Sequence, residues 1–294
     1  MKKEEGGRIM FYRGQTAFCI YCQSLLRRWK HMNVYLMVDI EGISGIYTRE
    51  QVMSDGNRFQ EGRRFMTADI NACAQGLKEA GVDKIYVHDC HGGGYSLLYD
   101  EISADVDYIV WGNVGKGRFA GVEECDAIVL LGYHAMAGTA GAILEHTMNS
   151  KSIQNMYING KKVGEFAIDA GILGDMGKPV IMVSGDDKVC QEARELISDI
   201  VTAEVKKGLT CFGGILMPYD KAHELLKEKA KEAVKAFEKI KPLVFQKPIE
   251  FMVEVTERTQ LPNPLSHPHI NYIDGRTYKA TGNTVEEAFF KTRS

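Results

Sequence analysis

The sequence is short of most features that would place it at once. It has 7 Pro and 2 Trp among 294 residues, and no tract dominated by a few residue types, so low-complexity and collagen-like chains are excluded. There is no surplus of one charge. The 36 Lys and Arg against 39 Asp and Glu leave a formal charge of −3, which excludes a polybasic binder of nucleic acid or membrane surface. No apolar run reaches the roughly 18 residues of a membrane span. The nearest stretch, Ala127 to Leu144, is broken by Tyr133, His134 and several glycines. Cysteine is neither dense nor even: seven are scattered along the chain, which argues against a disulfide scaffold and for a reducing, cytoplasmic setting. Cys19 and Cys22 form a C-x-x-C pair, but no second close pair completes a zinc site and no strand leads into it, so it reads as a chance pair. Phosphate-loop spacing is absent, Gly92-Gly93-Gly94 lacks the dinucleotide-binding pattern, and no G-x-S-x-G nucleophile elbow occurs.

What is present is an ordinary globular composition, 45% hydrophobic and 26% charged, in a pattern that alternates strand and helix. At roughly 150 residues per domain the length suggests two domains. Residues 1–31 lack a secretory cleavage signal and are expected to be an extension outside the fold, which then begins near Met32. Val34–Ile40 and Ala127–Gly132 are continuous apolar runs, the signature of strands buried on both faces. Residues 57–80 predict a helix with Met66, Ile70, Cys73 and Leu77 on one stripe, and Gly81 at its end. Strands are also expected at Lys84–His88, Tyr108–Trp111 and Val180–Val183, and a helix from Asp186 to about Ile200. Asn159-Gly160 between apolar flanks predicts a hairpin. Near residue 212 the texture changes to a long charged helix capped by Asp220, then a strand over Phe251–Val255 and a strand–helix finish from Arg276. The fold class is therefore α/β, a mainly parallel sheet flanked by helices over 32–210, with a smaller α+β domain over 211–294.

Three strand ends present ligand-type residues. The first runs Asp39-Ile40-Glu41-Gly42, with two carboxylates placed to face one ion; the second runs Asp89-Cys90-His91 into three glycines; the third runs Gly132-Tyr133-His134. In parallel α/β sheets such ends converge on one site. Asp39, Glu41, His91 and His134 together make a ligand set suited to Zn2+, with Mn2+ as an alternative, and carboxylates can bridge two ions. Any one of these residues alone reads more simply as a loop acid or a hydrogen-bonded core histidine; the argument is their coincidence. The glycines are expected to let backbone approach the site, His88 to be structural or to orient a ligand, and Cys90 to be a structural thiol. His223 is expected to be solvated on its charged helix, and His267-Pro268-His269 to be a connector.

Asp39-Ile40-Glu41-Gly42-Ile43-Ser44-Gly45, Asp89-Cys90-His91, Leu131-Gly132-Tyr133-His134-Ala135, Glu145-His146-Thr147-Met148 and Val163-Gly164-Glu165 resemble, in content and order, the zinc D-aminopeptidases of the bacterial dipeptide-transport operon type. The resemblance runs from about Met32 to the C-terminus. It implies two Zn2+ per subunit held by Asp39, Glu41, His91, His134 and Glu165, and a catalytic His146 with Glu145 beside it as a candidate modulator of its pKa. It further implies hydrolysis of the N-terminal bond of short peptides, with preference for D-residues, in a homo-oligomer of two stacked pentameric rings. Residues 211–294 would then serve oligomerisation or channel gating. Another metal-dependent amidase or phosphoesterase, or a ring-forming protein that binds peptide or metal without turnover, is the alternative expectation.

Overall fold

The computed structural model describes residues 31–111 and 117–293. The expected extension, apart from His31, and the Cys19–Cys22 pair lie outside the described residues. From Asn33 onward the chain forms one compact unit. In order its elements are β1 (Asn33–Val38), α1 (Arg49–Val52), α2 (Phe59–Glu79), β2 (Lys84–Asp89), β3 (Tyr108–Val110), β4 (Ala127–Tyr133), β5 (Ile153–Ile158) and β6 (Lys161–Val163). There follow α3 (Glu165–Asp175), β7 (Val180–Asp186), α4 (Asp187–Leu196), β8 (Val201–Thr210), β9 (Gly213–Leu216) and α5 (Tyr219–Ala236). The chain ends with β10 (Ile249–Val255), β11 (Asn271–Tyr272), β12 (Thr277–Gly282) and α6 (Val285–Lys291).

The principal sheet has the order β3-β2-β1-β4-β7-β8-β9, parallel except for β9. Every residue of β4 and of β7 is buried, as the apolar runs Ala127–Leu131 and Val180–Val183 require of central strands. The order runs outward from β1 through β2 to β3 and outward from β4 through β7 to β8, so the chain reverses direction between β1 and β4. A crevice opens at such a switch point, at the carboxyl ends of the two strands. The helices flank this sheet. On α2 the residues Met66, Ile70, Cys73 and Leu77 are fully buried, and the helix packs against α5 through Ala222, Leu226, Ala230 and Ala233 on the facing stripe.

Three differences from the sequence reading concern the second half. First, residues 201–216, to which no sequence pattern assigns an element, form the β8–β9 hairpin. Second, the antiparallel sheet has the order β11-β12-β10-β5-β6 and so takes a hairpin from the earlier half of the chain. The boundary expected between 210 and 211 falls inside the β8–β9 hairpin, and strand pairing crosses it in both sheets. Third, α5 starts two residues earlier than expected: Pro218 precedes it, and Asp220 sits in its first turn rather than at the cap. The Asn159-Gly160 turn is as expected, with φ of 51° and 78° at the two positions.

The switch point depends on two glycines. Gly42 donates its amide to Gly132 O at 2.7 Å, and Asp39 donates to Leu131 O at 2.9 Å, which pins the β1 and β4 ends together. A Cβ on Gly132 would lie 2.2 Å from Asp39 O, and one on Gly42 would lie 1.9 Å from Tyr133 O. Gly132 also has φ +72°, in the left-handed region. Gly81, by contrast, has φ +94° at the end of α2, and a Cβ added there would meet no atom within 4 Å. Gly132→Ala should therefore lower unfolding free energy by about 3 kcal/mol or more, strain plus collision, whereas Gly81→Ala should cost about 1 kcal/mol for conformation alone. Urea unfolding of the two variants checks this, and equal losses would contradict it.

Candidate metal centre

The residues expected to converge do so. Asp39 and Glu41 leave β1, His91 follows β2, His134 follows β4, and Glu165 is the first residue of α3. His91 Nδ1 lies 3.2 Å from Asp39 Oδ1 and 3.1 Å from Glu41 Oε2. His134 Nε2 lies 3.4 Å from Asp39 Oδ2 and 3.3 Å from Glu165 Oε1. Asp39 thus turns one oxygen to each imidazole. His146 stacks on His134 with ring centroids 4.0 Å apart, and its Nε2 is 3.7 Å from Glu165 Oε1. All three carboxylates are buried.

Ring orientation is set by backbone carbonyls. His91 Nε2 bonds Val52 O at 2.9 Å, His134 Nδ1 bonds Ala135 O at 3.0 Å, and His146 Nδ1 bonds Leu144 O at 2.9 Å. Each carbonyl can only accept, so each of those nitrogens carries the hydrogen, and in the neutral ring the other nitrogen is a bare lone pair aimed into the cluster. The buried Nε2 of His134 has no hydrogen-bond partner even though two carboxylate oxygens face it. A lone pair facing carboxylates is repulsive unless positive charge stands between them. The donor set has the composition of a site for a divalent cation of borderline hardness. Ligand atoms of Asp39, Glu41 and His134 lie within 4.8 Å of one another, as do those of His134, His146 and Glu165.

The electrostatics state the same demand. Burial, then the neighbouring Glu41 charge, pushes Asp39 up to about 7. Burial works against ionisation of Glu41, but the His91 charge beside it outweighs this and holds the carboxyl well below its usual range. Burial would lower the pKa of His134, yet the Glu165 and Asp39 carboxylates outweigh it and push it up to about 10. His91 is raised in the same way by Glu41 and Asp39. The protein groups alone concentrate negative charge here and draw protons onto the imidazoles.

Several residues that hold this cluster were not visible in the sequence. Lys206, on β8, is buried and gives its ammonium to the backbone carbonyls of Glu41 at 2.6 Å, Ile43 at 2.9 Å and Ile46 at 2.8 Å. Asp69, on α2, takes the amide of Ser44 at 2.9 Å and its hydroxyl at 2.6 Å. The loop after β1 is thereby clamped from both sides. Arg118 forms a two-pronged ion pair with Asp169 through Nε and Nη2, and Tyr133 donates to the same carboxylate at 2.6 Å. Arg118 Nη2 also lies 3.8 Å from Glu165 Oε2. No local motif marks Lys206 or Arg118; a lone basic residue in a strand or loop gives no signal of the acceptors it will meet.

The remaining expectations sort clearly. His88 is structural: its Nδ1 meets Tyr35 Oη at 2.8 Å, and burial, with the Arg118 charge, pushes it down to about 4. Cys90 is a buried-type thiol whose pKa burial drives far up, which removes it as a nucleophile at neutral pH. Glu145 is turned to the Gly138 amide, and the pKa of His146 is instead lowered by burial and then by His134. His223 is not solvated: its Nε2 lies 3.1 Å from Asp69 Oδ1 and its ring lies against Tyr219. His267 and His269 lie in the connector. Leu144 and Met148, on either side of His146, have φ of 53° and 63°. These are left-handed conformations that cost side-chain-bearing residues about 1 kcal/mol each and concentrate at functional sites.

The sequence profile of the D-aminopeptidase family, peptidase M55, matches residues 32–293. A D-aminopeptidase of Bacillus subtilis (strain 168) is 34% identical over 216 residues, which cover 72% of this chain and 77% of that protein. The solved structure of a Zn-dependent D-aminopeptidase from Bacillus subtilis, a self-compartmentalizing protease, superposes with a TM-score of 0.82 at 29% identity, covering 88% of this chain and 95% of that one. The chain that builds this buried cluster of carboxylates and imidazoles belongs to the D-aminopeptidase family of peptidases.

Proposed function

We propose that the protein is a binuclear zinc aminopeptidase that removes the N-terminal residue of short peptides, with preference for a D-residue at that end. The observation that carries the reading is the buried Nε2 of His134, unpartnered and facing the carboxylates of Asp39 and Glu165. Asp39, Glu41, His91, His134 and Glu165 would hold the ions, with Asp39 offering one oxygen to each side. Bound zinc supplies a Lewis acid for the scissile carbonyl and brings the pKa of water towards neutrality; Mn2+ is the alternative occupant.

The chain's own groups do the rest. The Val52, Ala135 and Leu144 carbonyls fix which nitrogen of each imidazole faces the cluster. His146, with its hydrogen held at Nδ1 by Leu144 O, has Nε2 available to take a proton and return it to the leaving amine. Its Nε2 stands beside Glu165, which stabilises the protonated ring. Lys206 and Asp69 keep the Glu41–Ile46 loop from shifting as charge develops. The surrounding burial excludes bulk water and strengthens each of these interactions.

The chain's five described cysteines outside residues 1–30 are free thiols, and among the described residues no helix is long and apolar enough to cross a membrane. Both suit the cytoplasmic setting proposed for the enzyme. We also propose self-assembly, in the two stacked five-membered rings implied by the family resemblance, with residues beyond 210 contributing to packing or gating. Leu209, Phe212 and Ile215 support this: they lie on one hairpin, each more than 60% exposed, an apolar surface of a kind that marks contact sites.

Three measurements check the proposal. The purified protein should contain close to two zinc per chain and cleave D-alanyl dipeptides faster than their L-counterparts. Hydrolysis of a simple phosphoester without peptide cleavage, or metal bound without any turnover, would replace the reading. His134→Ala should lower both zinc content and peptidase activity by about a hundredfold or more, since it removes a ligand and leaves two carboxylates uncompensated; full retention of metal would take His134 out of the site. Light scattering should give a mass several times the 32.8 kDa of one chain, and a monomer would contradict the assembly.

A further inference from the structure

Next to the cluster lies a cavity of about 400 Å3 whose lining includes Cys90, Gly93, Tyr95, Arg118, Phe290 and Arg293. Met37 also lines it, and residues two apart on a strand share a face, so it opens on the side of the sheet to which Asp39 points. Arg118 commits Nε and Nη2 to Asp169, while its Nη1 has no hydrogen-bond partner among the described residues. Arg293, just past α6, lies over the Phe289 ring at 5.2 Å and pairs with no carboxylate among the described residues. Three acids stand nearby besides Glu165, and one of them, Glu286 on α6, accepts the backbone amide of Arg118 at 3.1 Å through Oε1. Asp169 is taken by Arg118 and Tyr133, and Asp89 accepts from the amides of Ser96 at 2.6 Å and His91 at 3.0 Å.

We propose that this cavity receives the terminal carboxylate of the peptide substrate, gripped by Arg118 Nη1 and the Arg293 guanidinium. The proposal rests on the peptidase reading above and adds what is recognised at the far end of the substrate: a free C-terminal carboxylate. Two extended residues span about 7 Å, and Arg118 Nη2 stands 3.8 Å from Glu165 Oε2, so this guanidinium lies within reach of a short peptide held at the cluster. A planar guanidinium fork suits a carboxylate better than a point charge would. The glycine turn at 92–94 keeps side chains out of the rim: Gly92 and Gly94 have φ of 55° and 74°.

The test uses the full-length, zinc-loaded enzyme with D-alanylglycine and D-alanylglycinamide, which differ only in the terminal charge. The free acid should be preferred by about tenfold or more in kcat/KM, chiefly through KM. Arg293→Gln, at an exposed position, should cut that preference towards unity. Arg118→Lys, which keeps a counter-charge for Asp169 but loses the fork, should do the same. Unfolding midpoints within about 2 °C of the parent would confirm that the variants are folded. Equal cleavage of acid and amide by the parent enzyme, or a preference undiminished in both variants, overturns this inference and leaves the peptidase reading standing. Failure of the parent to cleave either peptide overturns both.

Discussion

Three carboxylates lie buried within a few ångströms of one another at the carboxyl ends of β1 and β4, and the surrounding structure answers that concentration of negative charge. An ionised carboxylate taken from water into protein costs several kcal/mol unless charge or hydrogen bonds replace its hydration. Protonation of the imidazoles would satisfy the electrostatics but would spend the lone pairs that their backbone bonds have aimed at the carboxylates. A divalent cation meets both requirements at once. On the proposed reading the cluster is a coordination shell assembled in advance, and not a set of salt bridges that happens to be buried.

Such a shell needs backbone that cannot drift. A parallel sheet supplies rigid strand ends, but the ligands themselves sit on the loops that leave them. Lys206 and Asp69 reach the loop after β1 from different elements, β8 and α2, so its position is fixed by the packing of the domain and not by local turn chemistry. Arg118 plays a related part: by neutralising Asp169 it leaves Glu165 as the acid directed at the cluster. An ammonium among three carbonyls and a guanidinium on a buried acid are costly to bury singly and effective when fully partnered.

Five strands of the principal sheet, β1 to β4 and β7, and the helix α2 were legible because periodicity reports burial directly; β8 and β9 were not. β1, β4 and the α2 stripe fall where their apolar patterns put them. That Asp39, Glu41, His91 and His134 converge was legible for a different reason, since each follows a strand whose carboxyl end opens on the same crevice of a parallel sheet. Glu165 and His146 needed the family resemblance. Glu165 begins a helix, where an acid is favoured by the helix dipole whether or not it binds anything, and His146 follows an irregular loop. Lys206 and Arg118 were not legible at all. Their partners are backbone carbonyls and a distant acid, and nothing in a linear sequence announces a contact 160 residues away, such as that between Lys206 and Ile46. The pairing across the expected division was not legible for a similar reason: β5 and β6 read as a local hairpin, and the pairing of β5 with β10 is a property of the fold.

The loop that carries His146 shows how closely these layers depend on each other. Leu144 and Met148 hold left-handed conformations on either side of it, and each is tied down by one bond from its amide: Leu144 to Cys211 O at 2.8 Å, Met148 to Glu165 Oε1 at 2.7 Å. Strain of this kind persists only when the surroundings over-determine it. One tie comes from the turn of the β8–β9 hairpin, the other from an acid of the cluster. Glu165 thus acts twice, as an oxygen facing His134 and His146 and as the acceptor that fixes the loop presenting His146. The hairpin that makes the first tie also bears the exposed Leu209, Phe212 and Ile215. The support of the loop and the apolar surface thus belong to one hairpin, so the proposed assembly and the placement of His146 share a structural element.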